Sequence, residues 1–459
     1  MKRQQLRFAL AAGVIGVLGL TACSGGGTES GGASQADPKA KVTITVGDMP
    51  KADQPADRAN FLLRVKDFEK QNPNITVKPS TETWDAQTFQ AKLAGGTLPT
   101  VMGVSLTYSH ELIQNGQAPN MTSYLKELDM VDDLNPLALK NVQDKDGQIY
   151  AVPTGLFSVG LAYNRKIFQQ AGLDPDKPPT TWDEVRADAK TISEKVPGVA
   201  GYAQLTANNT GGWMLTTMTY SMGGRIQNVE GTKTDFGPAT TQALQLLHDM
   251  RWEDNSMGNQ FLYDQDQARQ AFSAGKIGIV MQAPDIFQQA THNYGFDAAN
   301  FGEGALPQAN GENGTLTGGT LKLFNVKASP NELLAALKWI KYYEFEQYYN
   351  EKLAISNAKA AVASGNPVGL PSLPPVSDKV NERYLGWVKD LINVPVDQFS
   401  GYTDSTLKLI PEPPVATQQT YAALDPVVQK VLTDKNIDIK QTLDQASQTI
   451  NGILAQAQR

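Results

Sequence analysis

Cysteine is almost absent from this chain: Cys23 stands alone, and only three histidines, His110, His248 and His292, are scattered along the 459 residues. One cysteine forms no intrachain disulfide, and this spacing of Cys and His matches no zinc site. Basic clusters are also missing. The formal net charge is −7, and it becomes more negative by three if Lys2, Arg3 and Arg7 leave with the N-terminal segment. A net acidic chain without basic patches is a poor nucleic-acid binder, so none is expected as a partner. No internal repeat is visible, which removes solenoid architectures. The one long apolar run, Phe8 to Leu20, is too short and glycine-rich to make a comfortable membrane span.

What is present at the N-terminus has an order. Lys2, Arg3 and Arg7 precede that apolar run, which closes on Leu20-Thr21-Ala22-Cys23. Basic start, apolar middle and small residue before the break describe a secretory signal, here residues 1–22. The ending resembles the bacterial lipobox, in which the cysteine is lipidated and becomes the first residue of the mature chain. Cys23 is therefore the expected lipidation site and membrane anchor, and two or more acyl chains would hold it stably. Residues 23–38, rich in Gly and Ser, read as a flexible tether.

From Lys41 onward strands alternate with helices. Val42, Ile44 and Val46 have strand spacing, and Phe61, Leu62, Val65 and Phe68 share one helical face that stops at Asn72-Pro73. Ile75 and Val77 begin the next strand, and a third is expected near Thr100 to Val104. Regular alternation of this kind predicts an α/β protein with mainly parallel sheets. A chain this long needs at least two lobes. Between the two α/β regions runs a strand through Ile149, Ala151 and Val152, expected to stop at Pro153. A glycine-punctuated apolar run, Gly155 to Gly160, comes next, and further on Thr181-Trp182-Asp183-Glu184, a capping box. Extended chain broken in this way reads as a crossing between lobes. Two other crossings are expected, at Leu316-Thr317-Gly318-Gly319-Thr320 and in the Gly/Pro-rich run Gly365 to Pro375.

Several stretches, in this order, resemble the bacterial extracellular solute-binding proteins of carbohydrate ABC importers, the maltose-binding-protein-like group. They are Phe68-Glu69-Lys70-Gln71-Asn72-Pro73-Asn74-Ile75-Thr76-Val77, Leu93-Ala94-Gly95-Gly96-Thr97-Leu98-Pro99 and Asp146-Gly147-Gln148-Ile149-Tyr150-Ala151-Val152-Pro153. Further matches are Leu161 to Lys166, Pro178 to Glu184, Phe272 to Lys276 and Ala446 to Asn451. The resemblance implies a two-lobed periplasmic-binding-protein-like (type II) fold, each lobe a mainly parallel sheet with flanking helices, joined by three hinge crossings. It places lobe 1 at residues 39–153 plus 322–366 and lobe 2 at 157–316 plus 372–459. It implies a monomer outside the cytoplasmic membrane that holds a carbohydrate between its lobes and passes it to permease subunits, with no cofactor, metal or catalysis.

A sugar has hydroxyls around its edge and C–H faces above and below, so its site needs aromatic platforms with carboxylates and amides beside them. By position in the family pattern, the first lobe offers Asp48, then Trp84 in a second strand-to-helix loop, and Ser105, Thr107 and Tyr108 after the third strand. The first crossing offers Phe157. The loop Asn208-Asn209-Thr210-Gly211-Gly212-Trp213 is the richest, with candidates Asn208, Asn209, Thr210 and Trp213. Gln282 and Asp285 follow a later strand, Gly318 and Gly319 lie at the second crossing, and Gln418, Gln419 and Tyr421 complete the set. Each has a plainer reading: Asp48 as a helix cap, Trp84 as partial core, and Trp182 as core outright. The tryptophan that many relatives carry beside the first strand is missing, so the resemblance does not name the sugar.

Two other functions use the same features. A secreted lipoprotein glycosidase would need two carboxylates flanking one bond, for which Asp48 and Asp285 are the conceivable pair. A sugar sensor or adhesin would keep the fold without an importer.

Overall fold

The computed structural model describes residues 36–85 and 88–457. Cys23, the signal segment and most of the tether lie outside the described residues. Two hydrophobic cores form, each around one sheet. The first sheet begins with β1 (Val42–Val46), β2 (Ile75–Pro79) and β3 (Val101–Ser105), where β1 pairs in parallel with both others. Ile44, Val46, Phe61, Phe68, Val77 and Val104 are buried together here, as the strand and helix periodicities require.

β4 (Val152–Ser158) leaves this core and is followed, after Val159 alone, by β5 (Gly160–Asn164). β5 enters the second sheet with β6 (Ala200–Ala203), β7 (Ile277–Gln282) and β8 (Phe301–Ala305), in the order β6-β7-β5-β8. β6 and β7 are parallel, whereas β5 runs antiparallel to both its neighbours. β5 has no helix before it and enters straight from β4. Trp182 is buried and its indole donates to Ser221, Thr181 and Glu184 close the expected capping box, and Asn164 caps the helix Arg165–Ala171.

β9 (Thr315–Phe324) returns the chain. Leu316 belongs to the second core and Leu321, Leu323 and Phe324 to the first, so one strand spans both. β4 lies antiparallel against it, with Leu156 in the first core and Phe157 packed on the second. Pro153 does not end β4 as the sequence implied. Among the described residues β9 is the one strand that β4 pairs with, the isolated bridge from Leu156 to Leu373 lying further along, so a residue without an N–H is tolerated at Pro153, and an irregularity between Pro153 and Gly155 absorbs the misfit. β10 (Leu409–Pro411) adds in parallel to Thr315, Leu316 and Thr317 of β9.

The third crossing lies later than the sequence implied. Helices Glu351–Ala363 and Asp378–Val388 pack on each other through Ala354, Ala358, Val368 and Val388. Val376 and Val380 are in the first core, and the second core resumes at Val394 and Phe399. The run 365–375 is thus the turn of a helical hairpin with Leu370 touching the second core. Glycine and proline mark turns and crossings alike, so composition placed the change too early.

The spacing of β4 and β9 depends on Gly319, where a Cβ would lie 2.2 Å from the Gly155 carbonyl oxygen. Backbone cannot swing aside as a side chain does. Gly319→Ala is expected to cost about 1–3 kcal/mol, read as a lower denaturation midpoint; unchanged stability would show that the pair can separate freely.

Candidate functional site

Three segments meet where β9 passes from one core to the other. Ser105 ends β3, and its hydroxyl lies 2.6 Å from that of Thr107 in the tight turn Leu106–Tyr108. The Thr107 hydroxyl donates to Glu412 Oε2 at 2.5 Å. Glu412 directly follows β10 and is flanked by Pro411 and Pro413, which limit how its backbone can move. The Tyr421 hydroxyl, on the buried face of the helix Thr417–Thr433, donates to Glu412 Oε1 at 3.1 Å. A single carboxylate therefore ties the first lobe, a crossing strand and the second lobe. Burial pushes the Glu412 carboxyl up, and the two hydroxyl donors partly offset this.

Beside the carboxylate stands an aromatic pair. Phe157 and Trp213 meet edge to face with centroids 6.4 Å apart, and both are half-buried. Gly318 sits opposite Phe157 in the β4–β9 register, and a Cβ there would lie 2.7 Å from the Phe157 ring and 3.3 Å from Glu412 Oε2. Glycine thus lets ring and carboxylate share one side of the strand. Among the expected residues, Ser105, Thr107, Phe157, Trp213, Gly318 and Tyr421 are brought together. Glu412 was missed. Its only sequence signal is a carboxylate isolated in a proline run just after a strand.

Asn208 and Asn209 both adopt left-handed backbone, φ 56° and 70°, as the helix Thr210–Ser221 begins. That N-terminus is already occupied by protein: Asp425 accepts from Asn209 N at 2.7 Å and from Gly212 N at 2.9 Å. The Asn209 amide donates to Gln418, and the Thr210 hydroxyl to the Ala207 carbonyl. These contacts fasten the helix to its neighbour, and Asp425 too escaped sequence reasoning. Gln419 is exposed.

The remaining candidates lie elsewhere. Asp48, with φ 62°, accepts from Gly103 N at 2.6 Å and from Lys322 Nζ at 2.9 Å, and Lys322 also pairs with Glu344 at 3.0 Å. Trp84 packs edge-on to Tyr108 at 6.0 Å, and Phe89 flanks Tyr108 at 5.1 Å. Burial pushes the Tyr108 phenol up to about 12. Gly319 faces the Gly155 backbone.

Gln282 and Asp285 belong to a polar group at the hinge-side end of the second sheet. Asp285 pairs with Arg269, while Gln282 and Glu303 are fully buried with neither terminal atom of either side chain hydrogen-bonded. Glu303 Oε1 would lie 2.7 Å from a Cβ at Gly160. Burial, and then the charge of Asp285, push the Glu303 carboxyl well above 4.5. The folded state holds that proton more firmly than the unfolded chain, so stability is full below 4.5 and falls as pH rises from there through the folded pKa. Glu303→Gln removes this titration. The melting temperature of E303Q relative to wild type should therefore climb as pH is raised above 4.5; a pH-independent difference would show that Glu303 titrates alike in both states.

Two α/β lobes sharing crossing strands, with polar and aromatic side chains gathered where they meet, define a two-lobed binding protein. Residues 51–349 match the family model for bacterial extracellular solute-binding proteins. The chain belongs to that family, which consists of binding proteins and not enzymes. A Brucella abortus (strain 2308) binding protein is 27% identical over 233 residues, which is 49% of this chain and 54% of that protein. The match thus spans about half the length of the curated relative. A Thermotoga lettingae ABC-transporter solute-binding protein bound with α-D-tagatose aligns with a TM-score of 0.69, at 20% identity, covering 90% of this chain and 99% of that one. The Mycobacterium tuberculosis protein UgpB, in complex with glycerophosphocholine, gives a TM-score of 0.71 at 18% identity, covering 91% and 100%. At these identities the likeness establishes the fold alone.

Proposed function

We propose that this chain captures a sugar or oligosaccharide between its lobes and delivers it to the permease of an ABC importer, held on the extracellular face of the cytoplasmic membrane through lipidated Cys23. The observation that carries the ligand class is the pairing of an aromatic edge, Phe157 with Trp213, and a carboxylate, Glu412, already taking hydroxyl donors from Thr107 and Tyr421. A sugar presents the same two chemistries, apolar C–H faces and hydroxyl donors. Closure is a bend of β4 and β9, with lobe 1 taken as residues 39–153 plus 322–388 and lobe 2 as 157–316 plus 394–457. The glycosidase alternative is disfavoured by the places of its two carboxylates: Asp48 pairs with Lys322 in the first lobe and Asp285 with Arg269 in the second.

A cognate sugar at a hundred times its Kd should stabilise the folded chain by about 2.7 kcal/mol and compact it in small-angle scattering. A broad mono- and oligosaccharide screen that produces neither effect, while another ligand class does, overturns the carbohydrate reading. Trp213→Ala is expected to weaken binding roughly tenfold with little change in the unliganded melting temperature. A large loss of stability would instead mark Trp213 as core.

A further inference from the structure

We infer that Glu412 is a specificity-determining residue, and that the cleft selects neutral polyhydroxyl ligands while rejecting their phosphate- or carboxylate-bearing counterparts. The inference rests on the solute-binding reading above and names its substrate class.

Charge at the site is arranged against anions in two places. The Glu412 carboxylate lies at the junction of the two lobes, and its partners are the uncharged hydroxyls of Thr107 and Tyr421, with no cation paired to it among the described residues. A second negative charge taken into the same half-buried space would meet repulsion that water screens poorly. Trp213 lies in the first turn of the helix Thr210–Ser221. A helix start of this kind is where a phosphate is usually held, but here Asp425 already accepts from Asn209 N and Gly212 N.

The basic groups nearby do not reverse this. His110 lines the same recess as Glu412 and Thr107, and burial lowers its pKa, favouring the neutral ring. Arg225 stands over the Tyr220 ring at 5.9 Å, and Tyr220 feels the charge of both Arg225 and Glu412. A neutral ligand fits differently. Its hydroxyls can donate to the Glu412 oxygens in charge-assisted hydrogen bonds, about twice as strong as neutral ones, while a C–H face rests on Phe157 and Trp213.

The test uses the full-length chain and isothermal titration calorimetry. Each neutral sugar that binds in the screen is compared with its phosphate ester or uronate, and glycerol 3-phosphate and glycerophosphocholine are titrated alongside. Wild type should bind the neutral member at least tenfold more tightly than the anionic one. In E412Q, which keeps an acceptor of the same size, that ratio should shrink by roughly tenfold as the like-charge term disappears. Anionic ligand binding as tightly as its neutral counterpart to wild type overturns the inference while leaving solute binding intact, and loss of that binding in Arg225→Ala would identify the group responsible. An unchanged ratio in a folded E412Q overturns the role of Glu412. Failure of every neutral sugar to bind, with no anion binding either, defeats the underlying reading instead.

Discussion

The antiparallel pairing of β4 with β9 is the constraint on which the other arrangements depend. These two strands contribute side chains to both cores: Leu156 to the first, Leu316 to the second, Leu321 to the first again. Ladder hydrogen bonds between them are therefore shared property of the two lobes, and neither lobe can rotate without bending both. The bend needs backbone that fits closely yet carries little side-chain bulk. Gly155, Gly318 and Gly319 supply it, and the Gly319 approach to the Gly155 carbonyl fixes the strand separation. Because the ladder also sets which residues stand opposite each other, it places Phe157 against Gly318, and so brings an aromatic ring beside a carboxylate, Glu412, that touches both lobes.

Glu412 gains its position from covalent neighbours as much as from contacts. β10 is only three residues long, paired to the β9 segment that still belongs to the second core, and prolines on both sides of Glu412 limit where its side chain can reach. The carboxylate then accepts one hydroxyl from each lobe. Such a bond costs little in the unliganded molecule, because the hydroxyl donors replace water that burial removes. Any ligand hydroxyl that reaches Glu412 must displace or share those donors, and doing so changes a contact between lobes. In the proposed binding mode, recognition and lobe geometry are thus coupled through the same two oxygens.

Much of the architecture was legible because periodicity reports burial. The β1 alternation, the helix face of Phe61, Val65 and Phe68, and the capping box at Thr181 read correctly, since each depends on residues close in sequence, whereas Leu62, expected on the same helix face, is exposed. The third crossing did not. Residues 365–375 have the composition of a crossing, but the contacts that make them a hairpin turn, Ala354 and Ala358 on Val368 and Val388, join segments too far apart for any local pattern. The site divided along the same line. Phe157, Trp213 and Thr107 were expected from position in the family pattern, whereas Glu412 and Asp425 become meaningful only when Tyr421 and the start of the helix Thr210–Ser221 arrive beside them.

The fate of the polar candidates explains why residue type alone chose too many. Asn209, Gln418, Asp48 and Asp285 have the chemistry that binds a sugar, and each already has a partner in the protein: Asp425, Asn209, Lys322 and Arg269 respectively. Buried or half-buried polar groups must be satisfied in the folded chain, so most are spent on holding elements together. A group is left for a ligand when its partners are weak or exchangeable. Hydroxyl donors on a carboxylate meet that condition better than an ammonium or guanidinium does, since a second hydroxyl can take their place with the same geometry and charge. On that criterion Glu412, whose partners are the hydroxyls of Thr107 and Tyr421, suits the proposed ligand contact better than Asp48 or Asp285.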